Sequence, residues 1–306
     1  MRLVFAGTPV AAVPTLRLLA ESHEIAAVIT RPDAPLGRKR VLTPSPVAAA
    51  AEDIGLPVIR AARLDDEATG RIEALRPELG VIVAYGGLVR EPLLSTPPHG
   101  WINLHFSLLP QWRGAAPVQR ALIAGDEVLG ASVFQLVPAL DAGDVFAARA
   151  VDVPDDATAD RALELLALDG ARLTADVVAG IAAGTAVAHS QVGEPTSAAK
   201  LAFEDGALEW DQSIDAVFSR FRGVTPEPGA HTTIDGARLK ILAAARGPEG
   251  PDLEPGQISA TKSGLLIGTA TTPLMVTRVQ PAGRPAMDAS DWWRGLRADD
   301  GLRAGS

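Results

Sequence analysis

The first half of the chain alternates short, near-continuous apolar runs with stretches in which apolar residues recur every three or four positions. Runs at 2–6, 25–30, 57–60, 79–84, 101–106 and 131–137 predict strands covered on both faces. The intervening spacing predicts helices at 11–22, 47–53, 65–75 and 116–124. Pro117 stands near the start of the last, where a missing N–H costs least. This alternation predicts an α/β, Rossmann-like, open and mostly parallel sheet. A long helix is predicted over 158–183, after which periodicity is lost through about residue 207. A helix over 213–221 follows. Short strands at 231–234, 238–243, 264–269 and 274–280, the first two separated by an Asp235-Gly236 turn, then predict a small β-barrel.

A length of 306 residues is consistent with two domains. The expected division is a catalytic domain over 1–184, a linker over 185–206 and a C-terminal domain over 207–306. The chain has no cysteine, which excludes disulfides, thiolate metal sites and a cysteine nucleophile and fits a reducing, cytoplasmic setting. The five histidines show no metal-ligand spacing, so no metal site is expected. The apolar N-terminus is broken by Gly7, Pro9 and Pro14 and reads as a first strand rather than a leader. No apolar run is long enough to span a membrane. A net charge of −9 argues against generic nucleic-acid affinity, but residues 207–306 carry 11 basic against 12 acidic side chains, so that part is far less hostile to a polyanion.

Candidate chemistry concentrates in a few strings. Gly7-Thr8-Pro9 follows the first strand, but a dinucleotide fingerprint needs glycine where Pro9 stands, so a tight βα turn is the simpler reading. Asn103 and His105 lie two apart on one predicted strand and share a face near its carboxyl end, where open α/β sheets place their sites. An amide and an imidazole together can polarise a carbonyl and move a proton. On residue types alone, a buried histidine satisfied by its neighbours remains an equal alternative. Leu140-Asp141-Ala142-Gly143-Asp144 is either an ordinary turn or an acidic loop that orients His105.

Asn103-Leu104-His105, Ser107-Leu108-Leu109-Pro110 and Leu140-Asp141-Ala142-Gly143 match, in order and spacing, the signature of the folate-dependent formyltransferases. Further strings extend the resemblance over nearly the whole chain, toward members that formylate an aminoacylated initiator tRNA. They include Gly7-Thr8-Pro9, Arg31-Pro32-Asp33, Pro44-Ser45-Pro46-Val47, Ala84-Tyr85-Gly86 and Trp112-Arg113-Gly114-Ala115-Ala116-Pro117. The resemblance implies a catalytic group of Asn103, His105 and Asp141. It implies folate contacts from Ser107, Leu108, Leu109 and Pro110, with Val83, Ala84, Tyr85, Gly86 and Leu88 lining a pterin pocket. It also implies 10-formyltetrahydrofolate as formyl donor, methionyl initiator tRNA as partner, a monomer, and an OB-like C-terminal domain. Gly87 stands where the family commonly has a bulkier apolar residue.

Residues 31–40 hold four basic side chains and one acid among prolines and glycine, and read as an irregular exposed loop. In the resembled family the corresponding loop enters the tRNA acceptor arm, which makes Arg38, Lys39 and Arg40 the candidate contacts. Lys200, beside Glu204 and Asp205, is a further one. The expected chemistry is direct transfer, with Asn103 and His105 donating to the oxyanion and Asp141 holding His105. The rival functions are formyl transfer to a sugar nucleotide or purine precursor, folate-dependent hydrolysis, and RNA binding without catalysis.

Overall fold

The computed structural model describes residues 1–37, 40–250, 252–296 and 301–306. It divides into two compact units: Met1–Pro117 with Val128–Asp152 and Leu163–Ala198, and Val118–Glu127 with Val153–Ala162 and Ala199–Ser306.

The chain order through residue 198 is β1 (Arg2–Gly7), α1 (Val13–Ser22), β2 (Glu24–Thr30), β3 (Ala34–Leu36), β4 (Val41–Thr43), α2 (Pro46–Asp53), β5 (Val58–Arg60), α3 (Asp66–Ala74) and β6 (Leu79–Val83). It continues with β7 (Trp101–His105), β8 (Arg113–Gly114), α4 (Pro117–Ala124), β9 (Leu129–Gln135), β10 (Val145–Val151), α5 (Ala159–Ala182) and β11 (Ser197–Ala198). Seven of these strands form one sheet in the order β10-β9-β7-β6-β1-β2-β5. The pairs β1–β2, β1–β6, β2–β5 and β6–β7 are parallel, whereas β7–β9 and β9–β10 are antiparallel. Every residue of β6 is buried, as is nearly all of β1 and β2, which is why these strands read as unbroken apolar runs. One core cluster joins Val4, Ile29, Ile72, Ile82, Tyr85 and Trp101. The helices start where capping chemistry allows. Ser45 Oγ accepts the Ala48 N–H ahead of Pro46, and Asp65 accepts the Ala68 N–H.

Several elements depart from the sequence expectation, two of them beside the site: the basic loop and the strand at Val145–Val151. The basic loop is not irregular at its flanks: β3 and β4 pair antiparallel, Ala34 with Thr43 and Leu36 with Val41. Their residues are almost all exposed, so main-chain bonds alone define this hairpin and no burial pattern marks it. Strand β10 was also unforeseen. It is an alanine-rich, half-exposed edge strand, which gives little apolar signal.

The second unit carries α6 (Ile214–Val224), β12 (His231–Ile234), β13 (Ala237–Arg246), β14 (Ile258–Ala260), β15 (Leu265–Ile267), β16 (Leu274–Pro281), β17 (Met287–Asp288) and α7 (Ala289–Leu296). Its antiparallel sheet runs β12-β13-β16-β15-β14, with β17 on β16. Trp210, Phe218, Phe221, Ile241, Val276 and Trp292 lie in its core.

In the first unit, Gly80 on β6 faces the indole of fully buried Trp101, whose Nε1–H donates to the Leu93 carbonyl at 2.8 Å. A methyl at residue 80 would overlap that ring. Gly80→Ala is therefore expected to destabilise the unit by about 1–3 kcal/mol or more, read as a lower urea midpoint. An unchanged midpoint would contradict this packing.

Candidate active site

Strand β6 ends at Val83, and the chain turns through Ala84 (φ 47) and Gly86 (φ 75). Distant segments hold this turn. Thr8 Oγ1 donates to the Tyr85 carbonyl at 3.1 Å, and the Arg31 guanidinium donates to the Gly86 carbonyl at 2.6 Å. The Tyr85 ring is buried, and its hydroxyl donates to the Ala61 carbonyl at 3.3 Å. Burial pushes the phenol's pKa up, against the opposing charge of Arg31. A side chain at Gly87 would strike the Tyr85 ring, so the glycine there is matched to this tyrosine's position.

The neighbouring strand β7 presents Asn103 and His105 to the same side. His105 is 5% exposed. Its Nε2 lies 2.8 Å from the Trp112 carbonyl, and Nδ1 lies 3.9 Å from Asp141 Oδ2. A carbonyl only accepts, so Nε2 carries the proton and, in the neutral ring, Nδ1 keeps its lone pair. Burial lowers the His105 pKa below the ordinary value, with the Asp141 carboxylate and the Trp112 carbonyl opposing it. The ring is therefore neutral at neutral pH, and a proton arriving at Nδ1 would face Asp141. Asn103 Oδ1 is buried without a partner. Such an acceptor costs roughly 1–3 kcal/mol unless a ligand pairs with it.

Asp141 is buried and adopts a left-handed φ of 47. Its Oδ2 accepts the Gly114 N–H at 2.8 Å. Gly114 (φ 131) lies so close to the Ala198 carbonyl that a Cβ would reach 2.6 Å from that oxygen, and only glycine tolerates both conditions. Beneath the strand ends, Ser132 Oγ accepts the Leu109 N–H at 3.1 Å and donates to the Ser107 carbonyl at 2.7 Å. Farther along, Trp112 N–H donates to Thr196 Oγ1 at 2.8 Å, and Thr196 Oγ1 donates to Gln111 Oε1 at 3.0 Å.

These elements surround a cavity of about 780 Å³, within the range of small-molecule sites. Asn103, His105 and Asp141 line it together with Ala84, Tyr85, Gly86 and Leu88. Val83, Ser107, Leu108, Leu109 and Pro110 are not among its lining residues. Val83 is fully buried, the Ser107 hydroxyl turns back to the Gln111 carbonyl at 2.5 Å, and Leu108 packs beneath Gly130. Sequence reasoning missed Ser132, Gln191 and Thr196, which are ordinary polar residues on a strand or in an aperiodic stretch. Among the described residues, no group of histidine and acidic side chains could hold a metal ion.

The sequence candidates for RNA contact are not among the residues that line this cavity. Arg40 is exposed on the hairpin, beside the exposed apolar side chains of Leu36, Val41 and Leu42. Arg38 and Lys39 lie outside the described residues. Lys200, in the second unit, is exposed. Of the two acids near it, Asp205 is engaged by Arg120 at 2.9 Å.

A family profile described as formyl transferase matches residues 1–176, and one for the formyl transferase C-terminal domain matches residues 200–297. A Clavibacter sepedonicus methionyl-tRNA formyltransferase is 60% identical over 98% of this chain and 99% of its own length. One from Leifsonia xyli is 60% identical over 96% and 97%. Among solved structures, a sugar 3N-formyl transferase, WlaRD, matches with a TM-score of 0.71 at 11% identity over 93% of this chain and 99% of that one. HypX from Aquifex aeolicus matches at 0.70 and 16% identity, with 97% of this chain spanning 47% of that one. The Clostridium thermocellum methionyl-tRNA formyltransferase matches at 0.58 and 15% identity over 82% and 95%. At such identities these structures establish the fold alone.

The lowered pKa of His105 has a consequence for stability. Below the ordinary histidine value of 6.5 the unfolded chain binds a proton that the folded ring refuses. The neutral ring's contribution is thus complete above that value and is lost as pH falls toward the folded pKa. Between about pH 7.5 and 5, wild type is expected to lose more unfolding free energy in urea titrations than His105→Gln. Parallel curves would contradict the buried neutral ring.

Proposed function

The chain belongs to the formyl transferase family, and from that membership we propose that it transfers the formyl group of 10-formyltetrahydrofolate to the α-amine of methionyl initiator tRNA. The observation that carries the chemistry is the convergence of Asn103, neutral His105 and Asp141 on one cavity. The acceptor is inferred from relatives 50–60% identical over nearly the full chain, which bear the name methionyl-tRNA formyltransferase. Catalysis is assigned to the domain spanning 1–184. RNA binding is shared with the domain spanning 207–306, which we read as OB-like, and residues 185–206 separate the two. The protein acts as a cytoplasmic monomer. Among the described residues, no helix is long and apolar enough to cross a membrane.

The donor's pterin lies against Ala84, Tyr85, Gly86 and Leu88, over a wall that Val83, Ser107, Leu108, Leu109 and Pro110 support. Asn103 accepts an N–H of the attacking amine at Oδ1 and donates from Nδ2 to the oxygen that gains charge at the formyl carbon. Such a donor is worth on the order of 3 kcal/mol. His105 has its Nε2–H engaged by Trp112, so its role shifts from the expected oxyanion donor to a base. Nδ1 takes the proton released by the amine as the new C–N bond forms. It returns that proton to the departing nitrogen of the folate as the old C–N bond breaks, which balances the transfer. Asp141 stabilises the transient imidazolium. Arg38, Lys39 and Arg40 at the hairpin, and Lys200, contact tRNA phosphates.

The test is formyl transfer from 10-formyltetrahydrofolate to methionyl initiator tRNA. His105→Ala and Asp141→Asn are expected to reduce kcat by roughly 100-fold or more. A triple alanine change at residues 38–40 is expected to raise KM for tRNA and flatten its salt dependence, leaving KM for the folate unchanged. Formate release by wild type without an acceptor amine would instead assign a folate-dependent hydrolase. RNA binding with no folate-dependent reaction would remove the enzymatic reading.

A further inference from the structure

Gln191 lies on no helix or strand, within the stretch where sequence periodicity is lost, yet it is tied to β8 and to the loop that carries Asp141. Its Oε1 accepts from Arg113 Nε at 3.2 Å and from Arg113 Nη2 at 2.6 Å. Its Nε2 donates to the Asp141 carbonyl at 2.8 Å and to the Gly143 carbonyl at 2.9 Å. The orientation of the amide is not ambiguous. A guanidinium only donates and a carbonyl only accepts, so reversing the amide would set like against like at all four contacts. Arg113 precedes Gly114, whose N–H holds the Asp141 carboxylate. Gln191, Arg113, Gly114 and Asp141 thus close a ring of bonds across three separate segments. Asp141 gains from such support, because a residue other than glycine held at a left-handed φ costs on the order of 1–3 kcal/mol.

We propose that Gln191 is a positioning residue, which fixes the main chain at Asp141 so that the carboxylate stays directed at His105. This rests on the reading of His105 and Asp141 as the catalytic pair. A side-chain amide gripping two carbonyls sets the loop's path from outside the cavity, while the Gly114 N–H sets the carboxylate from inside. If the outer grip is lost, the backbone at Asp141 is free to leave its left-handed conformation, and the His105–Asp141 distance of 3.9 Å is no longer maintained.

The experiment measures kcat and KM for both substrates, with thermal unfolding alongside, in wild type, Gln191→Met, Gln191→Glu, Asp141→Asn and the Gln191→Met/Asp141→Asn double variant. Methionine keeps the length of glutamine without its hydrogen bonds. Glutamate keeps the Arg113 contact but turns a carboxylate oxygen toward two carbonyls, so it repeats the test if the methionine variant does not fold. Each Gln191 variant is expected to lower kcat roughly 10- to 100-fold, with both KM values moving less than about threefold, at temperatures well below its unfolding. In the double variant the Gln191 change should add little to Asp141→Asn, because it acts through that side chain. Unchanged kcat in the Gln191 variants, or losses that simply multiply in the double variant, would overturn the assignment while leaving the catalytic pair intact. If Asp141→Asn is fully active, or wild type transfers no formyl group, the reading of the pair falls and the role of Gln191 falls with it.

Discussion

His105 is 5% exposed, and an imidazolium cannot sit there uncompensated. The fold meets this constraint with one acceptor and one reserve charge. The Trp112 carbonyl takes the Nε2 proton at 2.8 Å. Asp141 waits 3.9 Å from Nδ1, beyond a hydrogen bond to a neutral ring but close enough to favour a charged one. The arrangement keeps the histidine neutral at rest and makes its protonated state accessible when a proton is delivered from the cavity side. The rest of the site follows from holding a carbonyl and a carboxylate on opposite flanks of one buried ring.

Both flanks come from loops, and loops of this kind store strain. Among the described residues, six that are not glycine have positive φ, and Ala84, Trp112 and Asp141 are three of them. Each costs on the order of 1–3 kcal/mol. All three lie in the segments that form the site, and hydrogen bonds from distant parts of the chain bind each segment. Thr8 and Arg31 hold the turn after β6, Thr196 holds Trp112, and Gln191 with Gly114 holds Asp141. The buried sheet core supplies the stability against which this strain is held, because β1, β2 and β6 are buried almost throughout.

That sheet was legible in the sequence because doubly covered strands must be continuously apolar. The predicted strands at 2–6, 25–30 and 101–106 end within a residue or two of β1, β2 and β7. Asn103, His105 and Asp141 were legible as a motif, and the cavity brings them together. The supports were not. Ser132 interrupts an apolar strand with one hydroxyl, and nothing in its neighbours announces that it bonds Ser107 and Leu109. Gln191 and Thr196 lie in an aperiodic stretch whose order comes from main-chain and side-chain hydrogen bonds to segments far away in sequence. Periodicity reports packing against a sheet or helix and is silent about a segment held by polar bonds alone.

The same limit explains the hairpin of β3 and β4. Its pairing is made by main-chain groups between exposed side chains, so composition showed only charge, proline and glycine. Its root is nevertheless fixed. Asp33 is held by Arg60 at 2.8 Å, and Arg31, at the foot of the hairpin, donates to the Gly86 carbonyl in the cavity wall. These two contacts tie the foot of the hairpin to β5 and to the turn after β6. Beyond that foot, exposed Arg40 stands beside the exposed Leu36, Val41 and Leu42, so neither burial nor an apolar alternation could mark the two strands, and only the main-chain pairing reveals them.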